Sequence, residues 1–262
     1  MNDLATLGID THAHLDLKQF RDDLEQVLNR AQGKGLQKIG NVFLGPEAYE
    51  NRPVILDEWP FIFFILGIHP HDAEKANQGT IQKIEKITQS DFRLRAVGEI
   101  GLDFYWMRSQ EQSQINTFRD QLALAKSIDY PVVIHSRQAE TECLEILLDM
   151  GFKDRPLLWH CFSRETSFAE KILANGWTIS LPGIITYKNA SGLQAAVKEI
   201  PLSRTVIETD CPFLTPEPYR PKRNEPSYII HTAKKVAELK GTSLEKVWET
   251  TADNARHFFQ LT

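Results

Sequence analysis

Cysteine is scarce in this sequence. There are three, Cys143, Cys161 and Cys211, and none lies close to another along the chain. An odd, scattered set excludes a disulfide framework and suits a reducing compartment, so the cytoplasm is the expected location. Long hydrophobic runs are missing too. The most apolar stretch, FIFFILGI at 61–68, is too short to span a bilayer and reads as a buried strand. The opening residues, MNDLATLGID, lack the basic region and apolar block of a secretory signal. Positive charge is not in excess either. The net charge of −5 leaves no general basic surface for nucleic acid. Linkers rich in Gly, Pro or Ser and low-complexity segments are also absent.

What is present is enough chain to bury a sizeable core: 262 residues, 42% of them hydrophobic. That length suits one α/β barrel domain over 1–262 better than two small domains. Short runs rich in Val, Ile, Leu and Phe alternate with longer segments of helical period. The candidate strands are 7–12, 37–43, 61–68, 95–101, 131–136, 156–161, 177–183 and 204–209. Between them lie helical patterns. In 18–32, Phe20, Leu24, Val27, Leu28 and Ala31 share a face; in 110–128, Ile115, Phe118, Leu122 and Ala125 do so. Segments 139–150, 164–175 and 187–199 are similar, Pro226 can open another helix, and 243–258 closes the chain. Eight strands alternating with helices predict parallel β/α units. A closed (β/α)8 TIM barrel is the simplest arrangement, and an open doubly wound sheet is the rival.

The ends of the candidate strands carry the chemistry. The first ends in GIDTHAHLD, where His12 and His14 are two apart and so project to the same side of a strand. Two neutral imidazoles sharing one target suggest a metal ion; two hydrogen-bonded loop histidines are the plain alternative. The third strand runs into His69, His71 and Asp72, and the fourth carries Glu99 and Asp103. The fifth ends in His135 and Arg137, the sixth in His160, and the eighth in Glu208 and Asp210. Six of the eight histidines thus fall at or just past strand C-termini. In a β/α barrel these ends open onto one face, which carries the active site. His12, His14 and Asp210 come from strands one and eight, neighbours once the barrel closes. His135 and His160 come from the adjacent strands five and six. Glu99 lies between the groups, where a carboxylate could bridge two ions about 3.5–4 Å apart, the two-metal arrangement of phosphoester hydrolysis.

At these residues the chain resembles the TatD family. DTHAHLD, GIHPHD, VGEIGLDFY, VVIHSR, WHCFS, LPGIITYKNA, IETDCPFL and RNEP look like that family's blocks, in its order, from about residue 9 to the C-terminus. The resemblance implies a barrel of the metal-dependent hydrolase superfamily and a divalent-metal-dependent deoxyribonuclease. It marks His12, His14, Glu99, His135, His160 and Asp210 as ligands of two divalent ions (Mg, Mn, Zn or Ni), with Glu99 shared. Leu181 and Pro182 depart from the small polar or aromatic pair common there, which bears on substrate fit.

The expected reaction is cleavage of phosphodiester bonds at the ends of single-stranded DNA or RNA, of the 3′-exonuclease type, by a monomer with no membrane partner. Asp210 and Glu99 are the catalytic carboxylates, and Asp210 accepts the water's proton. His69, His71 and Arg137 are the candidate substrate contacts; loop-stabilising roles and a salt bridge are the plain alternatives. Asp16 and Asp103 are expected to orient ligand histidines. Arg223, Asn224 and Glu225 either shape a groove or order a loop. Tyr105, Trp106 and Tyr219 either stack on bases or pack locally. Cys161 and Cys211 read as small buried residues. The second functional reading is hydrolysis of a small-molecule or aminoacyl ester or amide by the same centre, because fold and ligands do not fix the substrate.

Overall fold

A computed structural model describes residues 7–261. The segment 1–6, on which the leader expectation partly rests, lies outside the described residues, as does Thr262. The strands are β1 Gly8–Ala13, β2 Leu36–Leu44, β3 Ile62–Gly67, β4 Leu94–Asp103, β5 Val132–Arg137, β6 Leu157–Trp159, β7 Thr178–Leu181 and β8 Thr205–Ile207. The helices are α1 Leu24–Gly33, α2 Pro46–Glu50, α3 Ile55–Glu58, α4 Gln78–Ser90, α5 Glu111–Ser127, α6 Glu140–Asp149, α7 Thr166–Ala174, α8 Ser191–Glu199, α9 Ile229–Lys240 and α10 Leu244–Phe259. All seven ladders from β1 to β8 are parallel and run in sequence order. The ring closes through single bonds: Asp210 N–H donates to His12 O at 2.9 Å and His14 N–H to Cys211 O at 2.8 Å. This is the (β/α)8 barrel, and the open-sheet alternative falls.

Two apolar clusters follow from the alternation along the strands. On β3, Ile62, Phe64 and Leu66 join the larger cluster, which packs the helices onto the barrel's outer surface. Phe63 and Ile65 join a smaller cluster with Ile9, Val42, Ala96, Val133, Leu158 and Val206. That set draws on seven of the eight strands and therefore fills the barrel interior. Ala252, Ala255, Phe258 and Phe259 of α10 belong to it, and Phe63 and Phe259 meet at 4.8 Å between ring centroids. The last helix thus plugs the end where the strands begin. The other end is left for polar residues.

The structure departs from the sequence expectations in a few places. The 18–32 helix is broken: a short 3₁₀ turn at Lys18–Phe20 precedes α1. Asp23 leaves helical geometry at φ −141°, and its carboxylate pairs with Arg223 instead. Helix α4 was not anticipated, because Ile81, Ile84 and Ile87 are its only strong apolar markers; Asn77 caps it by accepting from Thr80 N–H. Pro226 opens a 3₁₀ turn that runs directly into α9. Strand β4 is longer than expected and continues to Asp103, with a register irregularity against β5 between Gly98 and Ile100. Among the described residues no helix is long and apolar enough to cross a membrane.

Candidate metal centre

The irregularity on β4 falls at Glu99, and a bulge re-aims the side chain of its extra residue. Glu99 therefore sits mid-strand yet reaches the mouth of the barrel. Two residues on, Gly101 adopts φ +142°, and a Cβ there would lie 2.0 Å from the carbonyl oxygen of His135. Only glycine lets β5 approach closely enough to bring His135 beside Glu99.

The side chains meet in two groups, one on each oxygen of Glu99. On the first side, Glu99 Oε1 lies 3.7 Å from His12 Nε2 and 3.6 Å from His14 Nε2. The two imidazole nitrogens are 3.3 Å apart, and Asp210 Oδ1 lies 3.4 Å from His14 Nε2 and 3.9 Å from His12 Nε2. On the second side, Glu99 Oε2 lies 3.1 Å from His135 Nδ1 and 3.4 Å from His160 Nε2. The structure thus brings His12, His14, Glu99, His135, His160 and Asp210 into one cluster at the strand C-termini.

The outer nitrogens decide the chemistry of this donor set. His14 Nδ1 lies 3.1 Å from Val42 O, an acceptor only, so that nitrogen carries the hydrogen. His160 Nδ1 lies 3.0 Å from a Glu208 oxygen, and His135 Nε2 lies 3.3 Å from Asp103 Oδ2. In each neutral ring the inward nitrogen then presents a lone pair to a carboxylate oxygen. Two electron-rich atoms facing each other in a buried site require a cation between them, either a proton or a metal ion. Burial disfavours imidazolium at His14 and His135, yet their carboxylate neighbours outweigh it and raise both pKa values to about 9. Glu99 runs the other way: burial favours its neutral form, but His12 and His135 hold it well below the usual range. Asp210 is likewise kept ionised against burial, chiefly by His14. Nitrogen and carboxylate donors of this kind fit divalent ions such as zinc or manganese.

The outer partners were only partly foreseen. Asp103 accepts from His71 Nε2 at 2.9 Å as well as from His135, and Gln114 of α5 clamps its backbone N–H at 2.8 Å. Among the described residues Asp16 accepts its hydrogen bond from Asn41 Nδ2 and acts on His14 only through its charge, while Val42 O orients His14. Glu208, which carries no role in the sequence reading, is fully engaged by His160, Cys161 N–H and Ser180 Oγ. It lies within ligand distance of His12 and His160, but its oxygens are already occupied, so it serves as the base on which His160 is set. Asp10, also missed, accepts from His12 N–H, Thr209 N–H and Thr209 Oγ1 and so fastens β1 to the strand-eight loop. The available signal was two further acids beside the histidine blocks, in GIDTH and IETD.

His69 is buried, accepts from His71 N–H through Nδ1, and stacks edge-on to His135 at 4.5 Å. Burial holds its pKa well below the ordinary value, so it is neutral. Arg137 is exposed, with its guanidinium 4.1 Å over the Tyr105 ring. Arg223 pairs with Asp23 and Glu225 with Arg30, while Asn224 donates to the carbonyls of Thr209 and Phe213; all three order the loop. Burial pushes the thiols of Cys161 and Cys211 well up; Cys211 is buried, whereas Cys161 is part-buried and lies within ligand distance of His160 and Asp210.

The family model described as TatD related DNase matches residues 9–260. The chain belongs to the TatD family. It is 37% identical over 252 residues to YabD of Bacillus subtilis strain 168, named an uncharacterized metal-dependent hydrolase; the match covers 96% of this chain and 98% of that one. It is 32% identical over 260 residues to a protein of Pectobacterium carotovorum named 3′-5′ ssDNA/RNA exonuclease TatD, covering 96% and 99%. Among solved structures, the TatD homolog YJJV from Escherichia coli K12 superposes with a TM-score of 0.90 at 27% identity, over 98% of this chain and 99% of that one. The protein is thus a TatD-family metal-dependent hydrolase, with the barrel of that family.

Proposed function

We propose that this TatD-family hydrolase cleaves phosphodiester bonds at the 3′ ends of single-stranded DNA or RNA. The observation that carries the reading is the division of Glu99, one oxygen to each histidine group, which suits a pair of divalent ions. His12, His14 and Asp210 would hold one ion, His135 and His160 the other, and Glu99 both. Magnesium, manganese, zinc and nickel all suit the donors. Such ions, when bound, polarise a phosphoryl oxygen and acidify water.

The remaining work falls to the chain's own groups. Asp210 is the proton acceptor: it is ionised, and its side chain is 14% exposed against 5% for Glu99, so it meets incoming water first. Neutral His69 and the Asp103-bound His71 contact the substrate, and Arg137 meets a phosphate oxygen. Nuclease action is supported by the block resemblance and by the exonuclease name of the Pectobacterium relative. The same reading takes the enzyme to be a cytoplasmic monomer forming one domain over 1–262, with its three free cysteines suited to a reducing compartment.

The test is hydrolysis of a single-stranded oligonucleotide labelled at either end, with and without chelator. Shortening from the 3′ end that chelation abolishes and a divalent ion restores is expected. Cleavage in excess chelator, with metal content measured as nil, overturns the two-ion reading. Turnover of a carboxylic or aminoacyl ester without any oligonucleotide cleavage, across several ions, overturns the nuclease reading in favour of the ester one.

A further inference from the structure

Three aromatic rings at the mouth are exposed: Tyr105 at 49%, Trp106 at 50% and Phe213 at 48%. Large apolar side chains left in water beside a polar cluster call for a partner. Tyr105 and Trp106 follow β4, and Phe213 follows β8. In a ring of eight strands those two are diametrically opposed, so the rings flank the candidate metal centre from opposite sides.

Both sets are tied to the cluster by their backbones. The N–H groups of Tyr105 and Trp106 donate to Asp103 Oδ1 at 3.0 and 2.9 Å, and the other oxygen of that carboxylate meets His135. Phe213 N–H donates to Asp210 O at 3.0 Å, its carbonyl accepts from Asn224 Nδ2 at 2.6 Å, and its ring stands 6.2 Å from that of His14. Tyr105 and Trp106 meet edge to face at 5.0 Å, which makes a corner rather than a flat wall. Arg137 lies over Tyr105 at 4.1 Å, and Arg108 over Trp106 at 5.7 Å. In a chain of net charge −5, two guanidiniums beside exposed rings suit a ligand with both flat faces and negative charge.

We propose that Phe213 on one side of the mouth and the Tyr105–Trp106 corner on the other are stacking platforms for the bases flanking the scissile phosphate of a single-stranded nucleic acid. The inference rests on the nuclease reading and adds to it how the strand is held. Stacking is blind to base identity because every base has a π face, so the enzyme should show little sequence preference. The two guanidiniums meet the phosphates next to the corner.

The test compares Phe213→Ala and the double variant Tyr105→Ala/Trp106→Ala with the parent enzyme, each loaded with the same ion and checked for equal metal content. The substrates are a single-stranded oligonucleotide and the same oligonucleotide made abasic at its terminal two positions. Each variant should raise KM for the normal oligonucleotide about 10-fold or more, with kcat within a few-fold. On the abasic strand the parent should already show the high KM, and the substitutions should add nothing. Phe213→Trp should keep the low KM, whereas Phe213→Leu, equally apolar but without a flat face, should not. Cleavage with KM unmoved by either variant, or equal effects on normal and abasic strands, overturns the platforms and leaves the nuclease reading standing. A parent enzyme that cleaves no oligonucleotide with any divalent ion overturns both.

Discussion

Asp210 and His135 lie in the same cluster, and the roles proposed for them differ, so their substitutions should separate. Asp210→Asn keeps an oxygen donor of the same shape and removes the basic carboxylate. Activity should fall roughly 10²–10⁴-fold, the loss typical of a positioned acid–base group, and extra metal should not restore it. His135→Ala removes one nitrogen donor, a deficit that mass action can offset, so high metal should recover part of the rate. Steady-state rates measured against metal concentration decide this. If saturating metal rescues both variants alike, Asp210 is a ligand only, and His69 or His71 becomes the candidate acceptor. Glu208 invites a second substitution at this scale. It faces three donors, the His160 ring, Cys161 N–H and Ser180 Oγ, so it must accept throughout. Glu208→Gln turns an amide NH₂ onto one of them and should rotate or retautomerise His160. Metal affinity should drop about 10–100-fold, as is usual when the group orienting a ligand is lost. An unchanged affinity in a metal titration would show that Ser180 and Cys161 N–H still hold the side chain at 208 as an acceptor for the ring.

Among elements, the loop after β8 depends on α1 for its order. Glu225 sits in the loop with its side chain 5% exposed, and Arg30 of α1 meets it with two bonds of 2.9 and 2.7 Å. Burial would raise the Glu225 carboxyl, but Arg30 and Ser227 outweigh it and hold its pKa below the usual value. A carboxyl depressed in the folded state adds stability above its unfolded pKa, near 4.3, and that stability is lost as pH falls through the depressed value. Arg30→Met keeps the apolar stem and removes the charge. It should cost about 1–2 kcal/mol at pH 7, a charged hydrogen-bond figure discounted because Arg30 is 46% exposed. Urea unfolding at pH 7 and at pH 3 checks it: the gap between variant and parent should narrow at the lower pH. A gap of the same size at both would mean that the arginine acts through packing alone. This pairing was beyond the reach of the sequence, since residues 30 and 225 belong to distant segments and each charge alone looks like ordinary solvated surface. The strands were legible because their apolar runs are continuous, as buried parallel strands require. The bulge at Glu99 was not, because a register irregularity leaves no mark in composition. The histidine cluster was legible because each of its histidine blocks closes a strand, whereas Glu208 and Asp10 were hidden among acids whose partners only the fold supplies.

The whole molecule divides along the barrel axis. One end is closed by α10 and its phenylalanines; the other gathers Glu99, Asp103, Glu208 and Asp210 with six histidines in a space from which water is largely excluded. Concentrating so many buried ionisable groups at one end costs stability, which a bound cation offsets. A ligand that binds only the folded chain stabilises it by RT ln(1 + [L]/Kd), about 2.7 kcal/mol at one hundred times Kd. For a chain of this size each kcal/mol moves Tm by roughly 2–4 °C, so the ion should raise Tm by roughly 5–10 °C. Calorimetry in chelator and then in Mn²⁺ or Zn²⁺ measures it. His135→Ala should retain part of the rise, because the His12, His14 and Asp210 group is untouched. Asp210→Asn should retain most of it, because an amide oxygen still faces the site. A melting temperature that ignores every divalent ion would mean that the cluster is satisfied by protons alone, with His14 and His135 as standing imidazoliums against Asp210, Glu99 and Asp103.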